Sequence, residues 1–236
     1  MGMDSKKLEK LKRIIQWAEE NGVGEDKIPR DLEKLANLKE LDLSSLNLSS
    51  LPEDIDALEN LKILNIFFNK LTSLPEGITK LKKLEVLNAS DNKLSSLPEN
   101  IGDLESLKVL DIFFNEIESL PESLGELNRL NILNASDNQL SSMPNSTKDL
   151  KRLKVLNVSD NELTHLPEDI GELNNLEELI VSDNRLSSLP ESVGELDNLV
   201  EFEAEDNKLT SLPDSIENLS QDIQDDLNDD LKSQSS

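Results

Sequence analysis

The sequence of 236 residues lacks several residue types, and each absence excludes a class of protein. It contains no cysteine and no tyrosine, so a disulfide-stapled scaffold, a cysteine zinc site and a thiol nucleophile are excluded. No apolar run approaches the ~20 residues that span a bilayer. The charged N-terminus also lacks the continuous apolar core of a signal peptide. These features predict a cytoplasmic protein that has no membrane partner.

Basic and aromatic residues are both scarce. The chain has 24 Lys+Arg against 49 Asp+Glu, which leaves a formal net charge of −25. This excess of negative charge repels phosphate backbones, so nucleic acid is not expected as a partner. Aromatic residues make up 3% of the chain, and they are Trp17, Phe67, Phe68, Phe113, Phe114 and Phe202.

An internal repeat of 23 residues dominates the sequence. Eight consecutive units without insertions begin at Leu38, Leu61, Leu84, Leu107, Leu130, Leu153, Leu176 and Leu199. Each unit reads approximately L-x-x-L-x-L-x-x-N-x-L-x-x-L-P-x-x-I-x-x-L-x-x, and the proline is present in all eight. A repeat of this length indicates a solenoid, in which stacked units bury a core that no single unit could bury.

This motif resembles the leucine-rich repeats, and its 23-residue LPxxI form is similar to the intracellular Ras-group-related class and its bacterial relatives. The resemblance implies an α/β solenoid shaped as a right-handed horseshoe with helical caps. Parallel strands would form its concave face, and short helical or 3₁₀ turns its convex face. The resemblance further implies scaffolding or recruitment of other proteins, and in some bacterial members delivery into a host cell.

The repeat divides the chain into three predicted segments. Residues 1–37 are expected to form an N-terminal capping helix and a half repeat, and residues 38–221 the eight repeats. Residues 222–236 are expected to form the end of an acidic C-terminal capping helix and a tail. Within this scheme the C-terminal cap covers residues 213–231, and residues 232–236 form the tail. The whole chain is thus predicted to be one elongated domain.

The positions within each repeat predict its local structure. Apolar residues at positions 4 and 6 alternate with outward-facing ones, which indicates a short strand with one buried face. The asparagine at position 9 is expected to satisfy inward-turned backbone groups where the strand ends. Repeat 1 has Leu46 at this position and Asn47 one place later, so its loop is expected to differ.

Four of the six aromatic residues occupy positions 7 and 8 of repeats 2 and 4, where stacking should leave side chains exposed. We name Phe67, Phe68, Phe113 and Phe114 the Phe patch. Position 3 adds Ile63, Val86, Val109 and Ile132 on the same predicted face. Exposed apolar patches of several hundred Å² usually mark interaction sites, so we interpret these residues as a partner-binding surface. The alternative is that one Phe of each pair folds back onto the stack and that duplication of a two-repeat unit copied the pair.

Aspartates occupy position 8 in most of the other repeats. Asp91 and Asp137 are interpreted as the rim of the Phe patch, and we name Asp137, Asp160, Asp183 and Asp206 the acidic strip. They are interpreted as a surface that attracts a protein or peptide with basic and apolar side chains. The alternative is that they only keep a long array soluble. A row with one carboxylate per strand does not converge on a point as calcium requires, so no metal site is predicted.

No arrangement typical of an enzyme is present. The single histidine, His165, lies at a predicted exposed turn, and the sequence has neither a Gly-rich phosphate loop nor an H-E-x-x-H helix. We therefore predict no catalytic residues and no cofactor. The leading hypothesis is a non-catalytic module that binds a protein or peptide through the concave face. The alternative is a homodimer that buries the same Phe patch.

Overall fold

The computed structural model describes residues 4–234, in which short parallel strands alternate with 3₁₀ turns. The strands are β1 (Glu40–Asp42), β2 (Ile63–Asn65), β3 (Val86–Asn88), β4 (Val109–Asp111), β5 (Ile132–Asn134), β6 (Val155–Asn157), β7 (Glu178–Ile180) and β8 (Glu201–Glu203). The turns are Glu53–Ala57, Glu76–Lys80, Ile101–Asp103, Glu122–Glu126, Asn145–Asp149, Ile170–Glu172, Glu191–Glu195 and Asp214–Asn218. Three α-helices are α1 (Ser5–Glu20), α2 (Leu32–Ala36) and α3 (Gln221–Gln234).

The strands form one open sheet in sequence order from β1 to β8. Each residue pairs with the residue one repeat later, as Leu64 pairs with Leu87 and Leu87 with Leu110. The middle residue of every strand is buried, whereas its two neighbours face outward and are exposed or half-buried. The predicted α/β leucine-rich repeat architecture, with parallel strands, 3₁₀ turns and terminal helices, is thus confirmed.

The repeat's proline and a small residue after it set the geometry of the turns. Pro75, with φ −67° and ψ 144°, precedes its turn in an extended conformation, which its ring favours. Adjacent turns then stack closely. A Cβ added at Gly102 would lie 2.1 Å from the carbonyl oxygen of Ser123 in the next repeat, so glycine is required there.

The asparagines at position 9 form the predicted hydrogen-bond ladder. The Asn92 side chain is buried, and its Nδ2 donates to the carbonyl oxygens of Ile66, Ala89 and Ser90 at 3.0, 3.2 and 3.1 Å. Its Oδ1 accepts a hydrogen bond from the backbone N–H of Leu71 at 3.0 Å. One side chain therefore satisfies backbone groups of two consecutive repeats, as predicted.

The loop of repeat 1 differs from the others, as its sequence predicts. Ser45 and Asn47 both have a φ of 60°, whereas in each later repeat one residue, at position 8, has a positive φ. Asn69 of the next repeat satisfies this loop, because its Oδ1 accepts from the N–H groups of Leu46 at 3.2 Å and Leu48 at 2.9 Å.

Helix α1 caps the N-terminal end of the stack. Its residues Leu11, Ile14 and Ala18 are buried, and the helix packs against the first 3₁₀ turn. Ion pairs tie the helix to this turn and to the residues just after it: Arg13 with Asp54 at 2.6 Å, Lys10 with Asp56, and Lys7 with Glu59 at 2.6 Å. The apolar face and the charge pairing together explain why the first repeat does not expose its leucines.

Helix α3 caps the other end by packing against β8, and Ile223 and Leu227 are buried there. It begins at Gln221 and continues to Gln234, so the prediction of a tail starting at residue 232 is wrong for residues 232–234. The helix continues for three polar residues past Leu231, the last apolar residue of its stripe. Residues 235 and 236 of the predicted tail lie outside the described residues. Among residues 4–234, no helix has the length and apolar character needed to cross a membrane.

Candidate protein-binding face

The outward face of the sheet carries a continuous row of aliphatic side chains. Ile63, Val86, Val109 and Ile132 lie in register at the first position of β2 to β5, and Val155 continues the row on β6. At ~4.8 Å between strands, the row is roughly 19 Å long. All five side chains are exposed or half-buried. Glutamates end the row on both sides, with Glu40 on β1 at one end and Glu178 and Glu201 on β7 and β8 at the other.

The Phe patch lies where β2 and β4 end, beside this row. Phe67 and Phe113 are each 37% exposed, and Phe68 and Phe114 are 56% and 53% exposed. The two rings of each pair have centroids 5.9 Å apart and are tilted. Neither ring of either pair is buried, so the alternative in which one ring folds back onto the stack is not observed. Because one strand separates β2 from β4, the two pairs are about 10 Å apart.

The second Phe of each pair has an unfavourable backbone conformation. Phe68 and Phe114 have φ angles of 53° and 52°, in the left-handed region. Repeats 3, 5, 6, 7 and 8 place an aspartate with the same φ at this position, and aspartate is one of the residues that tolerates it. A bulky L-residue there costs about 1–2 kcal/mol. The two phenylalanines therefore oppose the local backbone preference, and folding does not explain them.

Hydrogen bonds at the strand ends explain why the first Phe of each pair points outward. In repeat 3, Asn88 Oδ1 accepts from both the backbone N–H of Ser90 at 3.0 Å and its hydroxyl at 2.5 Å, which folds the serine side chain inward. In repeat 2, Asn65 Oδ1 accepts from the backbone N–H of Phe67 at 3.2 Å. Phenylalanine has no hydroxyl to donate, so its ring extends into solvent.

The acidic strip extends from the Phe patch toward the C-terminal end. Asp91 lies between the two Phe pairs, and Asp91, Phe114 and Asp137 line one groove of about 340 Å³. Asp160 and Asp183 lie one and two repeats beyond Asp137, so they do not contact the Phe patch. Burial, and then the neighbouring carboxylates, raise the pKa of Asp160 and that of Asp183. A cation placed along this row would relieve that repulsion.

Asp111 is a further residue of this face that the sequence analysis did not single out. It ends β4, and its Oδ1 accepts a hydrogen bond from the backbone N–H of Phe113 at 3.1 Å. Burial raises the pKa of Asp111, and the hydrogen bond from Phe113 partly opposes this shift. Position 5 carries asparagine in the two flanking repeats, at Asn88 and Asn134, so the change to aspartate was a signal available in the sequence.

Two lysines at the N-terminal edge of the Phe patch were also missed. Lys70 and Lys93 line a groove of about 230 Å³ together with Phe68. Within residues 4–234, neither lysine forms an ion pair. The face is therefore not uniformly acidic. Lys70 and Lys93 add positive charge beside the first Phe pair, whereas aspartates continue beyond repeat 4.

Other candidate chemistry has no matching geometry in the described part of the chain. Residues 4–234 contain no group of three or more His, Asp or Glu residues arranged to hold a metal ion. His165 is exposed, and its Nδ1 lies 3.1 Å from Oγ1 of Thr164.

Comparison with known proteins identifies the repeat. Residues 86–158 and 144–224 match the family described as "Leucine-rich repeat region", and residues 37–58 and 60–81 match "Leucine Rich Repeat". The comparison with curated proteins gives no match. The 23-residue LPxxI subtype remains a prediction.

Solved structures share the fold. A TDR receptor is 35% identical with a TM-score of 0.73, and the match covers 78% of this chain and 33% of the receptor. The plant peptide hormone receptor RGFR1, in complex with RGF2, is 26% identical with a TM-score of 0.66, over 81% of this chain and 36% of the receptor. YopM, a leucine-rich effector protein from Yersinia pestis, is 27% identical with a TM-score of 0.64, over 88% of this chain and 62% of YopM.

This chain spans about a third of the two receptor structures that it matches. Their activities as whole proteins therefore do not transfer to it. The repeat, the sheet and the family matches agree along the chain from residue 37 to residue 224. The chain belongs to the leucine-rich repeat proteins, whose fold is commonly a protein–protein interaction module and is typically non-catalytic.

Proposed function

We propose that this chain is a protein-binding module that holds a protein or peptide against the outward face of its sheet. The Phe patch would be the centre of the contact, and the acidic strip would attract basic side chains at its edge. The observation that carries this proposal is the pair of exposed phenylalanines, Phe68 and Phe114, held at left-handed positions where other repeats have aspartate. Strained residues persist where function requires them. The complex of the similar receptor RGFR1 with RGF2 supports a peptide-sized partner.

The expected contribution of the Phe patch follows from its exposure. Burying a whole Phe side chain contributes ~1.5–3 kcal/mol, and each ring here is between 37% and 56% exposed. Each ring therefore has about 1 kcal/mol left to gain on binding, and four rings have about 4 kcal/mol. A difference of this size corresponds to about a 1,000-fold change in the dissociation constant.

A matched variant can test the Phe patch without disturbing the fold. We define the Ser-Asn variant as Phe67→Ser, Phe68→Asn, Phe113→Ser and Phe114→Asn. Serine is the residue that repeats 3, 5, 6 and 7 carry at position 7, and asparagine tolerates the left-handed region without adding charge. The variant should therefore keep the circular dichroism spectrum and the unfolding midpoint of the wild type.

Light scattering on a sizing column comes first, because it separates a partner from self-association. We expect the wild type and the Ser-Asn variant to be monomers near 26.4 kDa. A wild-type dimer that becomes a monomer in the Ser-Asn variant would instead make the Phe patch a self-association surface. A displayed library of random peptides is then selected on each protein. We expect the wild type to enrich peptides that bind the Ser-Asn variant about 1,000-fold more weakly. Peptides that bind both proteins equally would refute the proposal.

A further inference from the structure

Asp111 is a carboxylate on the outward face, next to the aliphatic row and the second Phe pair, and it lies in a row of asparagines at position 5 of repeats 2 to 6. It shares the face of β4 with Val109, and its partners in the neighbouring strands are the uncharged Asn88 and Asn134. The side chain is half-buried. Beyond the hydrogen bond from the backbone of Phe113, no ion pair or hydrogen bond to its carboxylate occurs within residues 4–234. The charge is thus partly shielded from water, and within residues 4–234 no ion pair compensates it.

Asp42, at the same position of repeat 1, has hydrogen-bond and ion-pair partners that stabilise its negative charge. Asp42, in repeat 1, accepts hydrogen bonds from the Ser44 hydroxyl at 2.6 Å, the Ser44 backbone at 3.0 Å and Lys27 Nζ at 3.0 Å. These contacts lower the pKa of Asp42 to about 2, whereas burial raises the pKa of Asp111. In repeat 4, Phe113 replaces the serine, and among the described residues no lysine forms an ion pair with Asp111.

The fold does not need a charge at this position. Repeat 2 has the same pair of phenylalanines, but it carries asparagine in place of Asp111. Asn65 Oδ1 accepts from the backbone N–H of Phe67 at 3.2 Å, as Asp111 Oδ1 accepts from Phe113 at 3.1 Å. An amide thus supports the same strand end without the desolvation of a carboxylate, so the charge of Asp111 adds nothing to the local structure.

We infer that Asp111 is a specificity-determining residue that accepts hydrogen bonds from an Arg or Lys side chain of the partner. Apolar partner side chains on either side of this cation would contact the Phe patch and the aliphatic row. The inference rests on the proposed function, and it names the chemistry of the partner: a peptide segment with one basic residue between apolar ones. A charge-assisted hydrogen bond in a desolvated site is stronger than one in water, so this contact selects against neutral residues.

The substitution Asp111→Asn tests the inference, because it converts repeat 4 to the arrangement already present in repeat 2. The control is Asp42→Asn, which removes the same charge at the same repeat position but outside the Phe patch. Random displayed peptides are selected on the wild type, and the best binder is measured on all three proteins and on the Ser-Asn variant. A second peptide has the basic residue replaced by citrulline or norleucine, which carry no charge.

We expect peptides selected on the wild type to carry one Arg or Lys flanked by apolar residues. Asp111→Asn should weaken the affinity for the best selected peptide about 10- to 100-fold. Asp42→Asn should weaken the affinity for the same peptide less than about 3-fold. The neutral peptide should bind the wild type and Asp111→Asn equally. Peptides that need the Phe patch but show no preference for a basic residue would overturn this inference and leave the proposed function standing. If every selected peptide binds the Ser-Asn variant as tightly as the wild type, both this inference and the proposed function are wrong.

Discussion

Replacing Asn115 with alanine is expected to destabilise the protein strongly, because this side chain satisfies backbone groups of two repeats. Its Oδ1 accepts from the backbone N–H of Leu94 at 2.9 Å, and its Nδ2 donates to the carbonyl oxygens of Ala89 and Ile112, each at 3.1 Å. The residue is buried and directly follows Phe114, so it also supports the loop that carries the second Phe pair.

The size of the effect follows from which groups keep a partner. The carbonyl oxygen of Ala89 keeps a hydrogen bond from Asn92 at 3.2 Å, and that of Ile112 keeps one from Asn138 at 2.9 Å. The buried backbone N–H of Leu94 loses its acceptor, Asn115 Oδ1. An unsatisfied buried donor costs about 1–3 kcal/mol, and each weakened carbonyl adds a smaller amount. We therefore expect Asn115→Ala to lower the free energy of unfolding by about 2–4 kcal/mol.

Urea unfolding followed by circular dichroism measures this change. Trp17 is the one tryptophan and lies in the N-terminal cap, so its fluorescence would report on that end alone. The control is Asn128→Ala, since Asn128 is exposed and its Nδ2 makes a single hydrogen bond, to the carbonyl oxygen of Glu126 at 2.9 Å. This surface substitution should change stability by less than about 0.5 kcal/mol. If Asn115→Ala costs no more than the control, the reasoning about the asparagine ladder is wrong.

Two further predictions concern the Phe patch and the C-terminal cap. Phe68→Asn should change the free energy of unfolding by less than about 1 kcal/mol, because relief of the left-handed strain offsets the lost contacts. Phe202→Ala removes a buried side chain and leaves a cavity, so it should lower the free energy of unfolding by about 3–5 kcal/mol. Similar losses for the two variants in urea unfolding would contradict the description of Phe68 as a surface residue. At the other end, burial raises the pKa of both Glu203 and Asp230, and a hydrogen bond with Glu201 further raises that of Glu203. Carboxyls with a raised pKa take up protons on folding, so the docking of α3 on β8 should strengthen as the pH falls from neutral toward the ordinary carboxyl range. Amide hydrogen exchange at Leu227, corrected for its intrinsic pH dependence, should show more protection at the lower pH. Equal or lower protection of Leu227 at the lower pH would refute the prediction that protonation of these carboxyls strengthens the docking of α3.

The repeat made most of the fold predictable, because a solenoid is built from contacts between equivalent positions one unit apart. The leucine spacing predicted the stack, and the asparagine positions predicted the ladder that Asn92 and Asn115 form. The site was predictable in part. Positions 7 and 8 were expected at the surface, and the residues of the Phe patch are exposed there. For repeats 3, 5 and 7 the expectation at position 7 was wrong, because the serines there, Ser90, Ser136 and Ser182, are buried. The C-terminal helix was predicted to end too early, since the residues after Leu231, Lys-Ser-Gln-Ser-Ser, are polar and continue no apolar stripe.

The sequence alone determined the architecture, because regular 23-residue repeats bury their leucines by stacking on one another. The environment of single side chains depended on the tertiary structure. Only the folded chain shows that Phe68 occupies a left-handed position. It also shows that Asp111 accepts a hydrogen bond from the Phe113 backbone, whereas Asp42 at the same repeat position accepts one from Lys27. The physical reason is that backbone strain, desolvation and ion pairing arise from neighbours in adjacent repeats. A repeat pattern specifies where a residue lies, and the residues stacked around it decide its chemistry.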